Sequence, residues 1–225
     1  MFLRIPNLLS EDDLSALEAL SAGGRFVDGA ATAGTPTRAA KNNLQLEPAD
    51  DAARRSLIDT VTRAVTASTT VRASALPSRL TAPMLTKYEP GMSYGWHVDN
   101  AIMGGLGGQV RSDIACTIFL SEPKDYDGGE LVVQTSTGEA HVRLERGEAF
   151  LYPATSRHRV TEVTRGERLA VVFWIQSLIA EASRRELLND LNLAYESVLR
   201  ENADSGGLQL IQRAHANLVR MWSDL

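Results

Sequence analysis

The sequence predicts a mainly β chain with flanking helices, an α+β fold whose core is a jelly roll. Three observations carry this expectation. From Pro83 to Leu178 about eight short apolar stretches alternate with Gly, Pro and Asp signals, as antiparallel strands with tight turns do. On either side of that block the apolar residues recur at helical spacing instead. Within it, the strand from Arg168 to Ile175 is apolar on both faces, as a buried central strand should be.

The elements follow in order. Ser10 is a good N-cap with Asp13 three residues on, and Leu14, Leu17 and Leu20 recur until Gly23-Gly24 stops the turn. A first helix over about 10–22 results. Arg25 to Asp28 and Asn43 to Leu46 read as short strands flanking a Gly/Thr/Ala-rich loop. A second helix, Ala49 to Ser68, carries Leu57, Val61, Ala64 and Val65 on one face. Residues 1–78 therefore form a support region laid against a sheet. Residues 79–178 hold the strands: Met84 to Tyr88, Gly95 to Asp99, Asp113 to Leu120, Leu131 to Gln134, Ala140 to Leu144, Ala149 to Tyr152, His158 to Val163 and Arg168 to Leu178. Asp127-Gly128-Gly129 and Ser136-Thr137-Gly138 read as hairpin-like turns. In 179–225 the helical period returns: Glu181 to Arg200, a turn at Ser205-Gly206-Gly207, and a last helix with Leu208, Ile211, Leu218 and Trp222. This C-terminal helical hairpin suits either oligomerisation or packing on the β-core.

Composition excludes several classes. A net charge of -5 with no basic cluster argues against nucleic acid. The single cysteine excludes an internal disulfide framework, fits a reducing compartment, and makes Cys116 a small buried hydrophobe beside Ile114, Ile118 and Leu120. Glu11, Asp12 and Asp13 interrupt the start before any signal-peptide core, and no apolar run approaches the roughly twenty residues of a membrane helix. The expectation is a soluble, cytoplasmic protein.

The stretch with chemistry in it is Tyr94-Gly95-Trp96-His97-Val98-Asp99-Asn100. In extended chain His97 and Asp99 project from one face, and an imidazole beside a carboxylate can grip a divalent metal. Two His and one carboxylate on one side of a metal leave the opposite positions open, the arrangement of non-haem Fe(II) oxygenases. Of the four histidines, His141 falls on the polar face of its strand and His215 on the apolar stripe of the last helix, which reads as a core or interface position. His158, entering a strand after the turn Pro153 to Arg157, is the third ligand. Arg168 shares a strand face with Ala170, Val172 and Trp174, where a guanidinium needs an anion. An internal carboxylate would serve; so would a carboxylate-bearing cosubstrate, which Arg recognises in bidentate fashion.

These residues, with Asp127-Gly128-Gly129-Glu130-Leu131, Tyr152-Pro153, His158-Arg159-Val160 and Phe173-Trp174-Ile175-Gln176-Ser177, resemble the bacterial PKHD-type hydroxylases, relatives of the prolyl 4-hydroxylases among the Fe(II)/2-oxoglutarate dioxygenases. The likeness covers nearly the whole chain. It implies a double-stranded β-helix with Fe(II) on His97, Asp99 and His158 and the distal carboxylate of 2-oxoglutarate on Arg168. The implied reaction consumes dioxygen, decarboxylates 2-oxoglutarate to succinate and hydroxylates a substrate that the sequence does not name. Prolyl 4-hydroxylases commonly place Lys where this chain has Arg168, so their substrate does not carry over. The wider group is described as binding L-ascorbate, and relatives are associated with bacterial iron uptake.

Tyr88, on the strand before the ligand pair, would either hydrogen-bond the cosubstrate or simply pack at a strand end. Gly104-Gly105-Leu106-Gly107-Gly108 lacks the Lys-Ser/Thr of a phosphate loop and reads as a mobile lid between strands. Asn100 and Arg111 suit turn and surface roles better than a substrate entrance. Two other functions fit a jelly roll with a metal site. One is a cupin-type Zn or Mn enzyme with no use for Arg168, the other a protein that senses iron or 2-oxoglutarate without turnover.

Overall fold

Two antiparallel sheets face each other, and the two-residue period of the strand decides which side chains lie between them. The computed structural model describes residues 1–32, 34, 38–105, 107–201 and 206–224. The larger sheet contains β1 (Leu3–Ile5), β2 (Arg25–Asp28), β4 (Leu44–Glu47), β5 (Pro77–Leu80), β6 (Met84–Tyr88), β10 (Ile114–Phe119), β14 (Ala149–Pro153) and β17 (Arg168–Ser177). Its order is β1-β14-β10-β17-β6-β4-β2, with β5 also pairing β17. The smaller sheet contains β3 (Lys41–Asn42), β7 (Ser93–His97), β12 (Leu131–Thr135), β13 (Gly138–Val142) and β15 (His158–Val160), ordered β13-β12-β15-β7-β3. Such facing antiparallel sheets, joined by strands remote in sequence, are the expected jelly roll.

Alternation sorts the strands into an outer and an inner face. On β10 and β17, Ile114, Cys116, Ile118, Val171, Phe173 and Ile175 point outward and meet the helices α1 (Glu11–Gly23), α2 (Asp51–Ala67) and α3 (Thr69–Ala75). Leu14 and Leu17 from α1, with Leu57, Val61 and Val65 from α2, fill that layer, and Cys116 is buried within it. The inward residues form two separate clusters. Ala115, Phe119, Leu131, Val133, Phe150 and Tyr152 close one end of the space between the sheets, while Tyr88, Val160 and Val163 close the other. A cavity remains between them.

Several local expectations change. The capping box of Ser10 and Asp13 starts α1 as anticipated, but the single second helix is two. Ser68 ends α2 by donating its backbone N–H to Ala64 O and begins α3 by accepting from Val71 N, the alternative bonding that short hydroxyl side chains offer a helix. The strand expected at Gly95 to Asp99 is Ser93–His97, because residues 98–100 leave the ladder. The run His158 to Val163 breaks after Val160: Thr161 bonds Glu130, and β16 (Val163–Arg165) pairs instead with β11 (Asp127–Gly128). Asp127-Gly128-Gly129 is therefore a ladder strand and its exit rather than a hairpin turn, and a Cβ at Gly128 would fall 1.9 Å from Glu162 O. The Gly-rich segment read as a loop is mostly a hairpin of β8 (Ile102–Gly105) and β9 (Gly108–Arg111), with Leu106 outside the described residues.

At the C-terminus α4 (Ala182–Glu201) and α5 (Gly206–Trp222) pack together, Ser205 of the expected turn lying outside the described residues. Arg185 anchors α4 by donating 2.7 Å hydrogen bonds to Ile179 O and Ala180 O. Arg111 clamps the same corner through Asp113, Ser177 O and Asp224. Leu187, Leu193, Leu210 and Met221 remain exposed on these helices. No helix among the described residues is long and apolar enough to cross a membrane.

Phe173 joins the central strand to the helical layer, so Phe173→Ala should destabilise the fold by about 3–5 kcal/mol in urea titrations. A loss below about 1 kcal/mol would show that this layer does not carry the packing assigned to it.

Candidate active site

The two histidines meet because of a bulge. On β15 and β7 the pairs are His158↔His97 and Val160↔Tyr94, two steps on one strand against three on the other. The extra residue turns both Tyr94 and His97 toward the cavity while Trp96 faces out beneath Arg157 and Arg159. Gly95 sits where the chain passes closest to Ala40, whose Cβ would lie 3.1 Å from any Cβ at that position. The result is a cross-strand pair of imidazoles, with ring centroids 4.1 Å apart.

Each ring is oriented in the same way. His97 Nδ1 lies 2.8 Å from Gly95 O and His158 Nδ1 lies 3.0 Å from Ser156 O. A carbonyl can only accept, so both Nδ1 atoms carry the hydrogen and both Nε2 atoms present lone pairs. Asp99, just past the end of β7, turns inward beside them. Its Oδ1 lies 3.9 Å from His97 Nε2 and 3.7 Å from His158 Nε2, and its Oδ2 accepts a 2.8 Å hydrogen bond from Trp174 Nε1. One donor atom from each of the three residues falls within 4.8 Å of the others, a spacing that three ligands of one metal ion can have. Two neutral imidazoles and a carboxylate suit a divalent first-row metal.

The electrostatics fit the same use. Burial pushes the His97 imidazole down to about 3, and His158 adds to that effect. Burial raises the Asp99 carboxyl, with His158 and the Trp174 hydrogen bond opposing. A bound cation would relieve the cost of keeping that carboxylate charged.

Arg168 begins β17 opposite Tyr88 on β6 and is only 1% exposed. Its Nε and Nη2 have no hydrogen-bond partner, and no carboxylate among the described residues pairs with it. The internal ion pair left open by the sequence is therefore absent among those residues. Its guanidinium lies 5.4 Å from the Tyr88 ring and 5.3 Å from that of Phe119. Gly129, at φ 62°, leaves room for it: a Cβ there would lie 3.0 Å from Arg168 Cδ. Burial pushes the Tyr88 hydroxyl up to about 12, against the pull of Arg168 and Asn43, so it stays protonated. His97, Asp99, His158, Arg168 and Tyr88 all line one cavity of about 380 Å³.

The remaining candidates separate. His141 is exposed, 2.9 Å from Glu130, and His215 is half-buried between the C-terminal helices; neither belongs to the cavity. Asn100 borders it, whereas Arg111 serves the C-terminal corner. Reasoning from the sequence missed the role of Trp174, quoted only as part of a motif. It also missed Tyr94, stacked on His97 at 3.6 Å, and Lys41, which lines the mouth. The shared strand face of Arg168 and Trp174 was the one available signal for the former.

Two measurements follow from this geometry. Trp174→Phe keeps the ring and removes the donor to Asp99, so divalent-metal affinity in chelator competition should fall roughly 10- to 100-fold. Unchanged affinity would remove the orienting role. For the metal-free protein, unfolded His97 takes a proton near pH 6.5 while the folded one resists until about 3. In that window the unfolded chain binds more protons, so stability should fall as pH drops, and His97→Leu should flatten the slope.

Residues 83–176 match the family model of the 2OG-Fe(II) oxygenase superfamily, a span that includes all four of the principal site residues. The chain is 41% identical over 227 residues to the PKHD-type hydroxylase of Polaromonas sp. strain JS666, and 41% identical over 228 residues to that of Caulobacter vibrioides, each match covering 100% of both chains. Among solved structures, a Pseudomonas putida prolyl-4-hydroxylase gives a TM-score of 0.54 at 19% identity, covering 78% of this chain and 92% of that one. A Trichoplax adhaerens prolyl hydroxylase in complex with a hypoxia inducible factor oxygen degradation domain peptide fragment gives 0.55 at 16%, covering 84% and 86%. At those identities the structural likeness carries the fold alone, and the full-length matches carry the family. The chain belongs to the PKHD-type hydroxylases of the 2OG-Fe(II) oxygenase superfamily, an oxidoreductase family whose description implies Fe(II) and 2-oxoglutarate.

Proposed function

We propose that His97, Asp99 and His158 hold Fe(II), that Arg168 receives the distal carboxylate of 2-oxoglutarate, and that the protein hydroxylates a C–H bond of a small or peptidic substrate. One observation carries this reading above a cupin-type metal site or a simple sensor. A buried guanidinium with unpartnered N–H groups lines the same cavity as the His-Asp-His cluster. Leaving such a charge unmet costs several kcal/mol in principle, so an anion bound in normal operation is the economical explanation.

The reaction class balances as substrate C–H, dioxygen and 2-oxoglutarate giving substrate C–OH, succinate and CO2. Bound iron supplies the activation of dioxygen. The protein supplies the rest. Gly95 O and Ser156 O hold the two Nε2 atoms toward one point, and Trp174 fixes Asp99 so that Oδ1 faces the same point. Arg168 and the protonated Tyr88 hydroxyl are set to anchor the cosubstrate at the deep end. Phe119, Leu131 and Val160 keep water from that end. The β8–β9 hairpin, whose Ile102, Met103 and Gly104 border the cavity, is the candidate lid.

Further parts of the reading rest on separate observations. The reducing, cytoplasmic setting rests on one buried cysteine, Cys116. Ascorbate as reductant and a tie to iron uptake rest on family resemblance. Oligomerisation through α4 and α5 rests on their exposed apolar residues, and the division at residues 79 and 179 on sequence periodicity.

Anaerobically purified protein given Fe(II), 2-oxoglutarate and oxygen should release succinate. His97→Ala should lose turnover through loss of the metal. Arg168→Ala should raise the 2-oxoglutarate requirement at least roughly tenfold, as loss of a charge-assisted pair predicts, with metal affinity retained. An unchanged 2-oxoglutarate dependence in Arg168→Ala would falsify the role given to that residue.

A further inference from the structure

The cavity lining contains a second cation, on the other sheet from Arg168. Lys41 lies on β3, the outer strand of the smaller sheet, whereas Arg168 lies on the central strand of the larger one. Lys41 pairs with Tyr94 across β3 and β7, and its Nζ stands 5.4 Å from the Tyr94 ring centroid. Tyr94 in turn stacks on His97, with centroids 3.6 Å apart. The ammonium is therefore one aromatic ring beyond a histidine of the proposed metal site. Thr32 lies beside it, and the same cavity is lined by Asn100 and the apolar Val98, Ile102 and Met103, of which Val98 and Ile102 are 48% and 54% exposed.

Charge is what makes this position informative. Nζ donates a 2.9 Å hydrogen bond to Thr32 Oγ1, and no carboxylate among the described residues lies within ion-pairing distance of it. Burial pushes the ammonium down to about 8, with Asp28 and Asp99 holding it up, so it is still charged at neutral pH. Within the lining the charged side chains are Lys41, Arg168 and Asp99. Under the reading above, Fe(II), Asp99, the cosubstrate dianion and Arg168 cancel. Lys41 then leaves one positive charge at the mouth. The iron and Arg168 already account for both carboxylates of 2-oxoglutarate, so the remaining charge belongs to the other substrate.

We propose that the primary substrate is a carboxylate-bearing molecule, held by Lys41 through its carboxylate and by Val98, Ile102 and Met103 through an adjoining apolar part, so that a C–H bond lies over the metal. An ammonium presented beside apolar side chains selects for an anion with an apolar body, and rejects the neutral amide of the same shape by leaving the charge unpaired. This rests on the preceding functional reading.

The test uses 3-phenylpropanoate and 3-phenylpropanamide as matched probes, titrated calorimetrically under argon into protein saturated with Fe(II) and 2-oxoglutarate. The carboxylate should bind roughly tenfold more tightly than the amide, the worth of one charge-assisted hydrogen bond. Lys41→Met should bring that ratio to about one, and Lys41→Arg should keep it, while neither changes the melting temperature beyond the range of a surface substitution. Binding of 2-oxoglutarate to the Fe(II)-loaded protein is measured first, and its absence ends both readings. With 2-oxoglutarate bound, three results overturn the substrate assignment alone: no preference for the carboxylate in the wild-type protein, a preference that survives Lys41→Met, or a Lys41→Met variant that weakens 2-oxoglutarate by the same factor.

Discussion

Two imidazoles opposed across one strand pair, His97 at the end of β7 and His158 at the start of β15, set the terms for everything else in this molecule. Each is held by the carbonyl two residues before it, so neither ring can turn its Nε2 away without losing a hydrogen bond. That arrangement needs the bulge in β7, and glycine at 95 suits it, since a Cβ there would crowd Ala40. A regular ladder would have sent Tyr94 and His97 to opposite faces. The site is thus a consequence of one irregularity in an otherwise ordinary sheet.

The central strand β17 carries the same division of labour along its length. Its outward residues, Val171, Phe173 and Ile175, belong to the helical core, and its inward ones include Arg168 and Trp174. Packing therefore fixes, through one backbone, the distance between the unpartnered Arg168 guanidinium and the side chain that hydrogen-bonds Asp99. Trp174 is further pinned by Thr81, whose hydroxyl accepts from Trp174 N and whose own N–H donates to Trp174 O. Placing functional groups on a strand so constrained is how a protein holds them within tenths of an ångström.

The cavity concentrates charge that a hydrophobic core would reject. Arg168, Asp99 and Lys41 line a space walled by Leu131, Val160 and Tyr152. Desolvation acts on each: His97 is driven toward neutrality, Asp99 upward, and Lys41 downward. A bound cation would offset the cost at Asp99, and bound anions would offset the cost at Lys41 and Arg168.

The sequence by itself determined the class of the fold and the residues at its centre. Strand periodicity, the capping box of Ser10 and the helical returns at either end needed only local pattern; His97 and Asp99 stood out by their spacing, His158 by elimination among four histidines, and Arg168 as a cation in an apolar strand. Tertiary structure alone decided what depends on contact between distant segments. No local pattern reveals that β7 has an extra residue against β15, that Trp174 reaches Asp99 75 positions away, or that Lys41 on a two-residue edge strand lines the same cavity as the His-Asp-His cluster. The Gly-rich stretch after Asn100 read as a loop because glycine carries no side-chain signal, yet its backbone pairs as a hairpin. Period and propensity act over a few residues, whereas the geometry of a site is fixed by which strands become neighbours, and that is a property of the whole chain's burial.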